Sequence, residues 1–200
     1  MGFASGFRGT VGGSVQANYT DQPSRGLAGM LAFASEEAVA NIDSVIIAET
    51  LGIACGKGVT FAQAASVATD MQLPDVLASL PVTGDTVTNF GGVLLFDATA
   101  QSNENGVPGY AKGRVGRILR PKRSGGRVYV KAVDTIAVTD TVYMCTVAST
   151  DGTYQPGDFT NQNSAAGGTF VTLATVAKWV MPATGTALVP ALSLIEFGLV

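Results

Sequence analysis

After Asp43 the sequence is a series of short apolar runs separated by turn-forming residues. Typical runs are SVIIAETLGIACGKGVTF over 44–61, TVYMCTV over 141–147 and TFVTLATVAKWV over 169–180. Runs of this length and spacing are typical of an all-β sandwich or barrel rather than of alternating strands and helices. The sequence therefore predicts an all-β barrel or sandwich domain over residues 45–200.

Residues 1–44 have a different texture, with many glycines, isolated aromatic residues and no sustained apolar period. A segment of this kind gains its order from a partner, so we expect an extended N-terminal arm. One part of it, LAGMLAFASEEAVA over 27–40, places four apolar residues from Leu27 to Ala34 at helical spacing. This spacing predicts a short helix inside the arm.

The clearest strand pattern is RVYVK over 127–131, in which two valines face one side and Arg, Tyr and Lys face the other. The glycines at 125–126 allow a tight turn. We therefore expect the strands at Val115–Leu119 and Arg127–Val133 to pair as a hairpin. The predicted buried core residues are Phe96, Val128, Val130, Leu173 and Trp179.

Positive charge is concentrated in one segment of an acidic chain. Eight of the twelve Lys and Arg residues fall between Lys112 and Lys131, a window without Asp or Glu, although the formal net charge is −3. Three interpretations stay open: a nucleic-acid patch, a solvated strand face, and a contact with an acidic protein surface. The acidity of the remaining chain and the lack of an RNA-binding motif favour a protein contact over nucleic acid.

The sequence offers no catalytic or metal-binding constellation. It contains no histidine, which removes Ser-His-Asp and Cys-His catalysis and histidine-based metal sites. Cys55 and Cys145 lie in separate apolar runs, which predicts two buried free thiols. The glycine-rich stretch at 52–60 lacks the spacing of a phosphate-binding loop. We therefore expect no enzymatic activity, no cofactor and no metal.

The surface composition is unusual for a free monomer. Charged residues make up 14% of the chain, against about 25% in an average soluble domain. This low charge suggests that other subunits cover much of the surface, the alternative being a soluble monomer rich in surface Thr and Ser. No apolar run reaches the roughly 18 residues of a membrane span.

Taken in order, several segments resemble the tailed-phage capsid decoration proteins, also called structural cement proteins. They are DQPSRGLAGMLAFAS in the arm, SVIIAETLGIACGKGVT, PGYAKGRVGRILRPKRSGGRVYVKA, DGTYQPGDF and the tryptophan-containing ATVAKWVMPATGTALVPALSLI. The resemblance spans most of the chain and rests on the order of loose patterns. The density of Arg and Lys over 112–131 departs from the family pattern.

This resemblance implies a jelly-roll-like β-barrel with an N-terminal arm, a capsid decoration protein that binds the outer surface of the shell and stabilises it. The implied partners are the major capsid protein and neighbouring decoration subunits, as a homodimer or homotrimer, with no nucleic acid and no membrane. The implied location is the outer capsid surface of the virion, after synthesis in the host cytoplasm. The expected contact residues are Phe3, Phe7, Arg8 and Tyr19 in the arm and Arg120, Lys122, Arg123 and Arg127 in the basic segment.

A second interpretation is a tail- or fibre-associated adhesin that recognises sugar or protein. In that case the polar loop over 149–168 is the recognition tip, with Tyr154 and Phe159 as its aromatic contacts. The arm favours the first interpretation, because a cement protein needs an extended segment to join its neighbours.

Overall fold

The computed structural model describes residues 27–32, 41–62, 76–96, 101–102, 107–121 and 126–198. Within these ranges the fold is all-β, and its helical content is one 3₁₀ turn at Val87–Asn89. The predicted all-β barrel or sandwich is confirmed. The strands are β1 Ile42–Ile47, β2 Ile53–Ala54, β3 Gly58–Ala62, β4 Leu77–Ser79, β5 Phe90–Leu94, β6 Gln101–Ser102, β7 Pro108–Tyr110, β8 Val115–Leu119, β9 Gly126–Ala132, β10 Thr135–Ile136, β11 Tyr143–Val147, β12 Phe159–Thr160, β13 Thr169–Thr172, β14 Ala177–Met181, β15 Ala183–Thr184 and β16 Ala191–Phe197.

Five strands close into a barrel in the order β1-β4-β3-β5-β8. β1 and β4 run parallel, and the other neighbours are antiparallel. β1 has the sequence IDSVII, in which branched apolar residues suit a pleated, half-buried surface. Closure leaves these strands without a free edge for association with another chain.

The other strands form small antiparallel sheets. β16 lies between β14 and β9, and β11 lies between β12 and β13. β7 lies between β2 and β6, and β10 pairs with β15. In the β14-β16-β9 sheet, Ile195 lies opposite Trp179 on one side and Val128 on the other. All three side chains are buried, so this sheet presents an apolar face to the core.

The buried residues form two clusters. The smaller cluster centres on the barrel strands and includes Val45, Ile47 and Ile118. The larger one joins the barrel to the other sheets and includes Trp179 and Phe197. Of the predicted core residues, Val128, Val130, Leu173 and Trp179 are buried as expected, whereas Phe96 is only partly buried. Phe96 packs against the edge of the smaller cluster just after β5 ends.

The predicted hairpin between Val115–Leu119 and Arg127–Val133 is wrong. The first segment, β8, pairs with β1 and β5 inside the barrel. The second, β9, pairs with β16, which follows it by about sixty residues. The local turn chemistry permits a hairpin, but β8 has β1 and β5 on its two edges, and β9 has β16 on one edge and the bridge to Leu31 on the other. Neither strand therefore has an edge left for the other.

The described part of the predicted helix over 27–40 is not helical. Residues 27–32 form a turn followed by a bridge between Leu31 and Val128. The N–H of Gly29 donates to the Tyr129 carbonyl at 2.7 Å, and the N–H of Tyr129 donates to the Met30 carbonyl at 2.9 Å. This stretch therefore covers the edge of β9 that β16 leaves open. Residues 33–40, and residues 1–26 of the arm that was predicted over 1–44, lie outside the described residues.

Candidate functional site

The predicted contact set is divided between described and undescribed parts of the chain. Arg120 and Arg127 lie within the described residues, and each forms an ion pair inside the chain. The other six predicted contact residues lie outside the described residues: Phe3, Phe7, Arg8, Tyr19, Lys122 and Arg123.

Arg120 directly follows β8 and is held against the barrel. Its Nη1 donates to Oδ2 of Asp43 at 2.8 Å, and its guanidinium carbon lies 4.7 Å from the centroid of the Phe61 ring. A cation over an aromatic ring is attracted by the negative face of the ring. Its backbone N–H also donates to the Asn41 carbonyl at 2.9 Å. Arg120 therefore connects β8 with β1 and β3 while 30% of its side chain stays exposed.

Arg127 belongs to a three-strand charge cluster in the β14-β16-β9 sheet. Its Nε donates to Oε2 of Glu196 at 2.6 Å, and Nζ of Lys178 lies 3.1 Å from Oε1 of the same carboxylate. Burial of Glu196 opposes its ionisation, but the hydrogen bonds from Lys178 and Arg127 outweigh this effect and hold its pKa below the ordinary value. The Glu196 carboxylate therefore forms ion pairs with one cation from each of the two flanking strands.

Three other cations of the basic segment form an exposed group, which we call the basic face: Lys112, Arg114 and Arg117. None of them has an ion-pair partner within the described part of the chain. Lys112 and Arg114 lie in the turn before β8, where the Arg114 N–H donates to the Ala111 carbonyl at 3.1 Å. Arg117 projects from β8 beside buried Gly116 and Ile118. The basic face is therefore positioned by a hydrogen-bonded turn and a barrel strand.

The expected contact residues of the basic segment, Arg120 to Arg127, surround the predicted glycine turn, whereas the basic face lies before it in the sequence. The usable signal was the alternation of Arg117 with Gly116 and Ile118, which assigns the arginine to the solvent side of a strand. The partners of Arg120 and Arg127 gave no local signal, because they lie 77 and 69 residues away in sequence.

The loop over 149–168 does not carry an aromatic recognition tip. Tyr154 and Phe159 are both buried, and Phe159 belongs to the larger core cluster. The Tyr154 hydroxyl donates to Oδ1 of Asp134 at 2.6 Å. Burial, together with this hydrogen bond to a carboxylate, raises the pKa of Tyr154 to about 12. The aromatic contacts that the adhesin interpretation required are therefore structural parts of the core.

Neither cysteine forms a disulfide, and both are buried, as the sequence predicted. Burial raises the pKa of the Cys145 thiol to about 11, and the nearby Asp158 carboxylate adds to this shift. Within the described ranges, no three His, Cys, Asp or Glu side chains lie close enough together to hold a metal ion. No helix in the same ranges has the length and apolar character needed to cross a membrane.

Comparison with known protein families gives one match. The family described as structural cement protein (E217 gp24/Pam3 gp6) matches residues 15–192. No curated protein matches the chain. The matched range includes every described strand through β15 and the first two residues of β16. The family description indicates a structural role in the phage capsid, and the chain belongs to the phage structural cement protein family.

Proposed function

We propose that this protein binds the outer surface of the major capsid shell and stabilises it, with the basic face contacting acidic groups of the major capsid protein. The observation that carries this proposal is the exposure of Lys112, Arg114 and Arg117, none of which has an ion-pair partner among the described residues. They belong to a capsid protein of net charge −3, in which cations are scarce. In this proposal, acidic groups on the shell are the ion-pair partners that these three cations lack within the described residues.

The basic face is suited to accelerating and orienting docking rather than to supplying most of the affinity. Exposed ion pairs contribute about 0.2–1 kcal/mol each, since water and salt screen them. Three such pairs change the affinity by roughly tenfold at low salt and by less at high salt. Arginine adds a fixed fork geometry that fits carboxylates, which favours one orientation of the docked protein.

The remaining affinity in this proposal comes from the N-terminal residues and from neighbouring subunits. We propose that Phe3, Phe7, Arg8 and Tyr19 contact the shell or an adjacent decoration subunit, in a homodimer or homotrimer. The low charged fraction of 14% supports burial of further surface by such neighbours. We also propose contacts with the shell for Arg120, Lys122, Arg123 and Arg127. The ion pairs of Arg120 and Arg127 within the chain limit how far these two side chains extend toward the shell. The location that follows is the outer capsid surface, after synthesis in the host cytoplasm.

The test is binding of purified protein to expanded empty capsid shells at low and high salt. We expect a variant with Lys112, Arg114 and Arg117 replaced by Ser to bind roughly tenfold more weakly at low salt, with a flatter dependence on salt. All three residues are exposed, so the free energy of unfolding should change by less than about 0.5 kcal/mol. Binding and salt dependence equal to those of the unmodified protein would refute the role of the basic face.

Lys178→Ser is the control variant for Arg117→Ser. Both variants remove one exposed cation from a strand, but Lys178 lies on β14, outside the basic segment. We expect Arg117→Ser to weaken shell binding and Lys178→Ser to leave it unchanged. A further variant that lacks residues 1–24 tests the proposed contribution of the arm. Failure of the unmodified protein to bind shells would refute the proposed function itself.

A further inference from the structure

We propose that a surface pocket beside β2 and β16 receives an apolar side chain from an acidic segment of the major capsid protein; this inference rests on the function proposed above. The pocket has a volume of about 280 Å³. This value lies just below the range of about 300–1,000 Å³ that is usual for ligand pockets, and it suits one large apolar side chain. Much of its wall is apolar and includes Ala28, Cys55, Val107, Phe159 and Leu192.

The pocket lies where several distant parts of the chain meet. Ala28 comes from the segment that covers β9, Cys55 follows β2, and Leu192 is the second residue of β16. The Gly56 N–H donates to the Leu94 carbonyl at 2.8 Å, and the Gly58 N–H donates to the Gly157 carbonyl at 2.8 Å. The wall is therefore fixed by backbone hydrogen bonds, and an occupant has little to reorganise on binding.

Exposed apolar residues lie in this pocket's wall or next to its residues along the chain. Val107, which lines it, is 46% exposed, and Leu27, next to Ala28 in the chain, is 53% exposed. Leu188 and Val189, just before Pro190 of the pocket wall, are 94% and 73% exposed. An apolar concave site whose neighbouring chain segments carry exposed apolar residues has the character of a protein-binding surface.

The turn that carries Leu188 and Val189 is well fixed. The Thr186 N–H donates to the Val189 carbonyl at 3.0 Å, and the Val189 N–H donates to Oγ1 of Thr186 at 3.0 Å. At Gly185 a Cβ atom would collide with the Ala132 carbonyl oxygen, so the close approach of the turn to β9 requires glycine. These two apolar side chains are thus presented in a defined position and lose little backbone freedom on docking.

The net charge of the pocket wall indicates which charged group lies beside the bound apolar side chain. Lys57 and Asp158 form an ion pair with 2.6 Å between Nζ and Oδ1, so their charges offset each other. Lys131 is exposed and has no ion-pair partner in the described ranges. The wall therefore carries one surplus positive charge, which attracts a carboxylate beside the bound side chain and disfavours a basic segment.

Thiol footprinting tests occupation of the pocket, because Cys55 lies in its wall with 8% of its surface exposed. The probe is N-ethylmaleimide, read out by mass spectrometry of peptides from this chain. Cys145 is fully buried with a raised pKa and serves as the internal unreactive site. We expect slow labelling of Cys55 in the free protein and at least fivefold slower labelling on the shell. Equal rates, or no labelling of Cys55 in the free protein, would overturn the inference.

Substitutions provide a second measurement that does not depend on the thiol. Val107→Asp puts a negative charge at the pocket, and Val138→Asp does the same at a matched site, 50% exposed, away from it. We expect Val107→Asp to weaken shell binding at least fivefold and Val138→Asp to leave it within twofold. Lys131→Glu should weaken binding most at low salt. Binding of Val107→Asp equal to that of Val138→Asp would overturn the inference.

The outcomes separate this inference from the proposed function. If the unmodified protein does not bind shells, the proposed function fails. If it binds, while Cys55 is not protected and Val107→Asp binds normally, the pocket inference alone fails. If Val107→Asp instead changes the oligomeric state of the free protein, the occupant is a second copy of this chain, and the assignment to the capsid protein is overturned.

Discussion

The Nε atom of Arg127 lies 2.6 Å from Oε2 of Glu196, where β9 and β16 pair. Lys178 approaches the other oxygen of this carboxylate from β14. The sequence places Arg127 among eight cations with no acid nearby, but the fold supplies an acid from a distant strand. Clustered charge along the chain is therefore not the same as clustered charge on the surface. This difference separates Arg127 from the basic face.

Replacement of Glu196 by Gln should destabilise the protein in a pH-dependent manner. The folded-state pKa of Glu196 lies below its ordinary value of 4.5, so its ionised form stabilises the fold above that pH. This contribution is lost as the pH falls through the lower folded-state pKa. We expect Glu196→Gln to cost about 0.5–1.5 kcal/mol at pH 7, because both cationic partners are well exposed.

The measurement is denaturant unfolding of both proteins at pH 7 and at several values below pH 4.5. The difference between them should shrink over that lower range, because the unmodified carboxylate takes up a proton there. A difference that stays constant down to pH 3 would show that Gln disturbs packing and that the charge contributes nothing.

The local sequence pattern of β9 predicts which of its side chains are buried, but it does not predict the strand with which β9 pairs. Alternation along β9 assigned Val128 and Val130 to the core, and both are buried. The same strand was predicted to pair with β8 because a glycine turn lies between them, yet it pairs with β16. A two-residue period states which side of a strand is buried but not which strand lies beside it.

In the candidate site, too, some features follow from local sequence pattern and others do not. Exposure of Arg117 follows from its alternation with Gly116 and Ile118 on β8. The pocket does not follow from any local pattern, because its wall combines residues from Ala28 to Leu192. Burial of Tyr154 in a polar loop was also not predictable, since the loop sequence carries no sign of its partner Asp134.

Trp179 should be one of the most costly side chains to remove. It is the single tryptophan of the chain, it is 1% exposed in the larger core cluster, and its Nε1 donates to the Thr141 carbonyl at 3.4 Å. We expect Trp179→Ala to lower the free energy of unfolding by about 3–5 kcal/mol, through lost apolar burial and the remaining cavity. Leu188→Ala is the control, because that side chain is 94% exposed and should change stability by less than about 0.5 kcal/mol.

Chemical denaturation followed by circular dichroism measures the stability of both variants, since Trp179→Ala has no tryptophan fluorescence. The fluorescence of the unmodified protein gives an independent check, as a buried indole emits at shorter wavelength than an exposed one. A loss below about 1 kcal/mol for Trp179→Ala would mean that the indole lies at the surface.

Asp134 should hold the loop over 149–168 against the core. Its two carboxylate oxygens accept hydrogen bonds from the Tyr154 hydroxyl and from Oγ1 of Thr160, each at 2.6 Å. Tyr154 is 5% exposed and Thr160 is fully buried, so neither hydroxyl has ready access to water if the carboxylate is removed. The backbone carbonyl of Asp134 also accepts from the Gly185 N–H at 3.0 Å. One residue thus connects the loop with the turn that carries Leu188 and Val189.

We expect Asp134→Ala to cost about 2–4 kcal/mol, because it removes two hydrogen bonds to a charged group and leaves the protons of two buried hydroxyls without their acceptor. Asp134→Asn should cost less than half as much, since its side chain can still accept from one hydroxyl and donate to the other. Asp85→Ala is the control: its carboxylate accepts from the Val82 N–H at 2.8 Å in an exposed loop, where water replaces the lost partner, so the cost should stay below about 1 kcal/mol. Urea unfolding of the four proteins at pH 7 measures these differences, and equal losses for Asp134→Ala and Asp85→Ala would show that the carboxylate does not anchor the loop.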